Sequence, residues 1–251
     1  MIFWIASYPK SGNTWLRALI STYYFSKDGV FDENLLKKID QFPTRKYFLD
    51  FEYNQKVIGD TCRYWIKAQD KINKDNNLRF FKTHNAFGKL NNYDFTNSQN
   101  SAGGVYIVRD PRNIITSVKN HYELDDDKAL KWMTNKKQFV YDVEKVEEFG
   151  FSDFQFISSW DMNYKSWKVQ KKIPIKFIKY EDLLNETFVV SKEIIKFIND
   201  VTNNKEKINI AKLKKTLQST SFSKLKNNEI KYGFSEELNL KKNKKKKIKF
   251  F

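Results

Sequence analysis

The chain opens on an apolar run, IFWIAS (Ile2–Ser7), turns through YPKSG (8–12), and resumes an apolar pattern in TWLRALISTYYF (14–25). The first run, short and apolar, reads as a strand. In the second, Leu16, Leu19, Ile20 and Tyr23 recur at the spacing of one helix face. A strand, a tight loop and a helix open the chain, and strands that go on alternating with helices imply a mostly parallel sheet. RFFKTH (79–84) and GVYIVRD (104–110), short and apolar, read as buried strands, and IKFIKY (175–180) as another strand. NIITSVKNHY (113–122), FQFISSWDMNYKSWKVQ (154–170) and SKEIIKFIND (191–200) read as helices, the first beginning after Pro111 with Asn113 as its cap. The fold class that follows is α/β: a single domain with a mostly parallel sheet flanked by helices, in a P-loop-like nucleotide-binding architecture. Ligands are expected at the carboxyl ends of its strands.

With 22 Phe, 13 Tyr and 6 Trp, the 251 residues suffice for one domain with a substantial core. Cys62 is the only cysteine, and no Cys/His cluster has metal-ligand spacing, so neither a disulfide framework nor a metal is expected. No apolar run approaches the ~18 residues of a membrane span, and the N-terminus lacks the basic start of a signal peptide. A cytoplasmic protein with no membrane span is expected. Basic residues exceed acidic ones by 46 − 30 = 16, a balance compatible with nucleic acid, acidic lipid or a small anion. Lysine outnumbers arginine by 40 to 6, however, whereas readers of specific nucleic-acid sequence lean on the planar fork of arginine. No specific nucleic-acid partner is expected.

The first loop leads into a helix N-terminus, where unpaired N–H groups and the helix dipole attract an anion. Gly12 lets the backbone curl close to such a ligand, Ser11 and Thr14 offer hydroxyls, and Lys10 supplies a charge. The lysine precedes the glycine, so this is not the G-x-x-x-x-G-K-[ST] loop of nucleotide triphosphatases, which weighs against a P-loop kinase. Arg109, at a strand end before a proline and a helix, is a candidate clamp for phosphate. His84 closes a strand and is a candidate base, since imidazole titrates nearest neutral pH. Taken singly, each has a plainer alternative: a structural turn, a buried ion pair, a loop histidine. His121, late in its helix, reads as a structural histidine. A non-enzymatic basic protein that binds nucleic acid or an acidic surface is the other class left open.

The order of residues 8–15, YPKSGNTW, resembles the Y-P-K-S-G-[TN]-T-W that marks the 5′-phosphosulfate loop of sulfotransferases using 3′-phosphoadenosine 5′-phosphosulfate (PAPS). The likeness continues in chain order. KTH (82–84) matches the stretch that carries the family's catalytic histidine, and VRDPRNIITSVKNHY (108–122) is similar to its 3′-phosphate segment. YEDLL (180–184) and TSFSKLKNNE (220–229) resemble the two stretches that line the adenine. The resemblance implies that Lys10, Ser11, Gly12, Asn13, Thr14 and Trp15 contact the donor, that Arg109 and Ser117 hold its 3′-phosphate, and that Tyr180, Thr220 and Phe222 lie at its adenine with Trp15. It further implies His84 as general base, Lys10 as the cation on the bridging oxygen and Lys82 as a cation on the transferring group, with PAPS as donor and no metal. The implied activity is in-line sulfuryl transfer to a hydroxyl or amine of a small-molecule, glycan or lipid acceptor, a reaction governed by positioning and electrostatics as phosphoryl transfer is.

The family's closing motif, R-K-G…G-D-W, has no counterpart here. Residues 1–240 read as the sulfotransferase domain, and 241–251, with seven lysines, as a Lys-rich tail that is the truncated end of that domain. No oligomeric state is implied. The acceptor pocket is expected from the loops 27–60 and 123–155, whose mixed aromatic and charged residues fit several acceptors.

Overall fold

The computed structural model of the chain describes residues 1–232, so the Lys-rich tail lies outside the described residues. In chain order its regular elements are β1 (Ile2–Ser7), α1 (Asn13–Phe25), β2 (Asp40–Gln41), α2 (Trp65–Ile72), β3 (Arg79–Thr83), β4 (Lys89–Leu90), β5 (Tyr93–Asp94), β6 (Ser101–Val108), α3 (Pro111–Tyr122), α4 (Asp126–Thr134), β7 (Phe139–Val140), α5 (Val146–Phe149), β8 (Gln155–Phe156), α6 (Trp160–Val169), β9 (Ile175–Lys179), α7 (Tyr180–Asn185), α8 (Thr187–Val201), α9 (Ile210–Ser219) and α10 (Phe222–Tyr232).

β1 is buried along its whole length because both of its faces are covered. Phe3 and Ile5 enter one core with Leu16, Leu19 and Ile20 of α1, Val105 and Ile107 of β6, and Ile194 and Ile198 of α8. Ile2, Trp4 and Ala6 enter the other, with Phe42, Phe81, Phe95, Tyr106, Trp65 of α2 and Trp167 of α6. The period-two alternation of a strand thus divides one apolar run between two layers. The sheet has the order β2-β3-β1-β6-β9 and is parallel throughout. Phe3 stands beside Phe80 and Gly103, and Ile5 beside Lys82 and Val105. This is the α/β fold with a central parallel sheet that the strand and helix patterns imply.

Several boundaries differ from those read in the sequence; α8, read over 191–200, spans Thr187–Val201, and three others bear on the site. β6 begins at Ser101, not Gly104, because Ser101 and Gly103 pair with Ile2 and Phe3 across an irregularity in the register. Small residues there carry no strand signature of their own. α3 begins at Pro111, and its cap is Asp110, whose carboxylate accepts from the Arg112 N–H at 2.9 Å; Asn113 is inside the helix. The helix expected over 154–170 covers only Trp160–Val169. Gln155 and Phe156 instead pair antiparallel with β7, and Ser158 takes a left-handed conformation, φ 57°, that ends the strand before the helix can start.

α3 and α4 form a smaller cluster over the end of β1, in which Tyr8 packs with Ile114, Val118, Ala129, Met133 and Ile157. Burial of Ile114 and Val118, one turn apart, fixes the rotation of α3. Among the described residues no helix is long and apolar enough to cross a membrane.

Candidate active site

Each motif begins where a parallel strand stops. The loop 8–12 follows β1, His84 follows β3, Arg109 follows β6 and Tyr180 follows β9. Parallel strands place all four carboxyl ends on one edge of the sheet, so residues up to 170 positions apart converge there by topology alone. Lys10, Gly12, Asn13, Thr14, Trp15, His84, Arg109, Ser117, Tyr180 and Phe222 line one cavity at that edge. Ser11, Lys82 and Thr220 do not line it. Ser11 is fully buried. Thr220 supplies its carbonyl to the Trp15 indole N–H at 2.9 Å. Lys82 lies on β3 beside Ile5, on the face shared with Phe80.

The loop depends on unusual backbone. Lys10 and Gly12 both take positive φ, 65° and 93°. A Cβ on Gly12 would stand 2.5 Å from a ring carbon of Tyr180, so any other residue clashes as well as strains. Gly12 caps α1 without a side-chain acceptor, and the first turn of α1 has no acidic residue, which leaves its N–H groups for a ligand. The Arg109 guanidinium lies 4.5 Å over the Tyr180 ring and donates through Nη1 to the Lys10 carbonyl at 3.1 Å. Its Nε and the Ser11 hydroxyl are buried with no hydrogen-bond partner among the described residues. Buried donors without acceptors are rare in native folds. Anionic groups bound at the helix N-terminus and beside Arg109 would provide the missing acceptors, so this end of the cavity fits the phosphates of a nucleotide. Beside it, Trp15 meets Tyr180 edge to face at 5.8 Å and Phe222 at 6.4 Å, a set of rings able to border a base.

His84 faces the cavity from the β3 end. Its Nδ1 is 2.8 Å from the Ser7 carbonyl, which can only accept, so the proton sits on Nδ1 and Nε2 is the unprotonated ring nitrogen. Its main chain is fixed on both sides: the N–H donates to Gln155 Oε1 at 2.8 Å, and the carbonyl accepts from Asn163 Nδ2 at 2.9 Å. Ser7, Gln155 and Asn163 belong to no motif and were invisible in the sequence. His121, read there as structural, also lines the cavity, with Nδ1 3.4 Å from Lys10 Nζ. Its spacing from Ser117, four residues along α3, is the one signal that could have placed it there. Tyr122 and Val140 complete that wall; nothing from 27–60 reaches it.

Lys10 is pushed down to about 8, first by burial, with Arg109 acting in the same direction and Glu229 against it. Burial and then the Lys10 charge push His121 down to about 4, so that imidazole is neutral near pH 7. Among the described residues no group of three or more His, Cys, Asp or Glu side chains is placed to hold a metal ion.

The fold and the site together describe a parallel α/β domain with anion donors and an imidazole on one sheet edge. Residues 2–250 match the sulfotransferase domain family, and the chain belongs to that family. It is 25% identical over 230 residues to luciferin sulfotransferase of Photinus pyralis, covering 89% of this chain and 56% of that protein. To Sulfotransferase 1E1 of Rattus norvegicus it is 26% identical over 229 residues, covering 89% and 65%. Among solved structures, retinol dehydratase in complex with androsterone and the inactive cofactor PAP has the same fold, with a TM-score of 0.53 at 16% identity over 91% of this chain and 66% of that one. Mouse sulfotransferase SULT7A1 complexed with PAP gives a TM-score of 0.50 at 17% identity over 90% and 66%. The chain spans less than two thirds of the length of these proteins.

Proposed function

We propose that the protein transfers a sulfuryl group from PAPS to a hydroxyl or amine of a small-molecule, glycan or lipid acceptor, with His84 as general base and no metal. The observation that carries this reading is the convergence of an imidazole with its proton on Nδ1 and two buried anion donors, Arg109 Nε and Ser11 Oγ, that have no hydrogen-bond partner among the described residues, on one edge of the sheet. PAPS supplies an activated sulfur whose bond to the bridging phosphate oxygen breaks as the acceptor oxygen bonds to it. Nε2 of His84 takes the acceptor proton, and the Ser7 carbonyl steadies the imidazolium that results through Nδ1–H. Lys10 offsets charge on the departing oxygen, while the α1 N-terminus, Ser11, Asn13 and Thr14 hold the 5′-phosphate. Arg109 and Ser117 take the 3′-phosphate, and Trp15, Tyr180 and Phe222 border the adenine, with Thr220 orienting Trp15. Lys82 steadies the transferring group; its support is its place two residues before His84, since it does not line the cavity. The neighbours captured with PAP are in keeping with this donor.

Calorimetric titration with 3′-phosphoadenosine 5′-phosphate (PAP), with ATP and Mg²⁺ as the contrast, tests the reading. Binding of PAP by the protein and its loss in Lys10→Ala and Arg109→Ala are expected. Equal binding by all three would remove these residues from the site, and a preference for ATP with Mg²⁺ would move the protein to kinase chemistry. Incubation with labelled sulfuryl donor and a panel of alcohols, phenols, amines and sugars identifies the acceptor.

A further inference from the structure

α3 presents three side chains to the cavity, Ser117 and, one turn later, His121 and Tyr122. His121 is 9% exposed. Its ring meets the Tyr122 ring edge to face at 4.7 Å, Tyr122 packs on Trp132 at 5.1 Å, and Trp132 packs on Tyr8 at 5.7 Å. This train of rings ties the imidazole to the loop that carries Lys10. Nδ1 lies 3.4 Å from Lys10 Nζ, long for a hydrogen bond but within reach of one. An ammonium can only donate, so the imidazole nitrogen facing it is the bare one and the proton sits on Nε2. His84 is the opposite case, because its Nδ1 faces a carbonyl.

We propose that His121 is a positioning residue for Lys10, whose Nδ1 accepts a hydrogen bond from the buried ammonium and keeps that lysine charged inside the cavity. The proposal rests on the reading of Lys10 as a cation of a sulfuryl-transfer site. A buried lysine tends to lose its proton, and Lys10 is already pushed down to about 8. The groups around it come from five parts of the fold: Arg109 after β6 opposes its charge, Glu229 of α10 favours it, and His84 after β3, Tyr122 of α3 and Tyr180 of α7 share the cavity wall. A neutral acceptor favours the charged form, and His121, pushed down to about 4, stays neutral across the working range. Replacing it with an apolar ring removes the acceptor and lowers the Lys10 midpoint further.

The tautomer is read first, on the unmodified protein. The chain has two histidines, so ¹⁵N-histidine NMR, assigned with His84→Gln, resolves both. His121 is expected as the Nε2–H form from pH 6 to 8; an Nδ1–H form at that position would overturn the proposal, whether or not any variant folds. Lys10 is then titrated by trace acetylation and mass spectrometry in the protein, His121→Phe and His121→Asn. His121→Phe is expected to lower the Lys10 midpoint by about half a pH unit or more, roughly threefold in the protonation constant. His121→Asn, which keeps an acceptor near Nδ1, is expected to restore it in part. An unchanged midpoint in a folded His121→Phe protein refutes the positioning role. PAP titration of the same samples separates the two ideas: absence of PAP binding by the unmodified protein counts against the sulfuryl-transfer reading, whereas PAP binding with an unmoved Lys10 midpoint counts against His121 alone.

Discussion

The cavity has two walls of different construction. One is made by residues that directly follow strands: the loop after β1, His84 after β3, Arg109 after β6 and Tyr180 after β9. The other is made by the last turn of α3, through His121 and Tyr122, and by Val140 of the two-residue strand β7. The first wall inherits its geometry from the sheet, where backbone pairing fixes position before any side chain is chosen. The second depends on packing between α3, α4 and the segment from 135 to 159, whose regular elements are short. A rigid wall suits a ligand that every member of a family shares, and an adaptable one suits ligands that differ. On the proposed function, the first wall binds the donor and the second meets the acceptor.

The largest effect that separates the walls from the chemistry between them is expected at His84. Glutamine there keeps a polar side chain but cannot take a proton, so turnover is expected to fall about 10²- to 10⁴-fold. PAP affinity is expected to stay put, as measured by calorimetry alongside a product assay. A parallel loss of PAP binding would assign His84 to the donor wall instead. The next effect is Arg109→Ala. A hydrogen bond to a charged group is worth about 1.5–3 kcal/mol, so PAP affinity should drop roughly 10- to 150-fold. Tyr122→Ala, on the opposite wall, should leave PAP affinity alone while changing which acceptors are used. Similar losses of PAP binding in both variants would collapse the distinction between the walls.

The legibility of the two walls in the sequence follows the same division. IFWIAS, RFFKTH and IKFIKY announce strands through short apolar patterns that need no knowledge of their neighbours, and the motifs sit at their ends. Once the sheet is parallel, its edge and the residues on it follow. The other wall hides because its residues acquire meaning only through contacts. Gln155 looks like part of a helix running from Phe154, yet it pairs with Val140, while its side chain accepts from the His84 N–H. Asn163 looks like an ordinary polar helix residue, yet it is fully buried and donates to the carbonyls of His84 and Ile157. His121 reads as structural for the same reason: helix periodicity says that it faces inward, and only the fold says that Lys10 is there.

A smaller effect is expected from pH. With Lys10 at about 8, its charge is nearly complete at pH 7 and largely lost at pH 9. A lysine with a lowered midpoint is cationic below it, so PAP affinity should fall as pH rises through about 8, by up to roughly tenfold between pH 7 and 9. Lys10→Ala should bind weakly at both values and lose this limb. Retention of the same limb in Lys10→Ala would trace it to another group in the cavity.

Ser11→Ala gives the smallest effect and the sharpest test of whether the first wall awaits an anion. In the nucleotide-free protein the Ser11 hydroxyl is buried with no hydrogen-bond partner among the described residues, a costly arrangement in the absence of a ligand. Removing it should therefore hold or raise the melting temperature without PAP, while PAP affinity falls by about fivefold, the worth of roughly 1 kcal/mol. The two signs oppose each other, which separates a binding group from a packing group. A residue that served the fold alone would lower the melting temperature and leave PAP affinity where it was, and that result would make the partnerless hydroxyl a feature of the turn and not of the site.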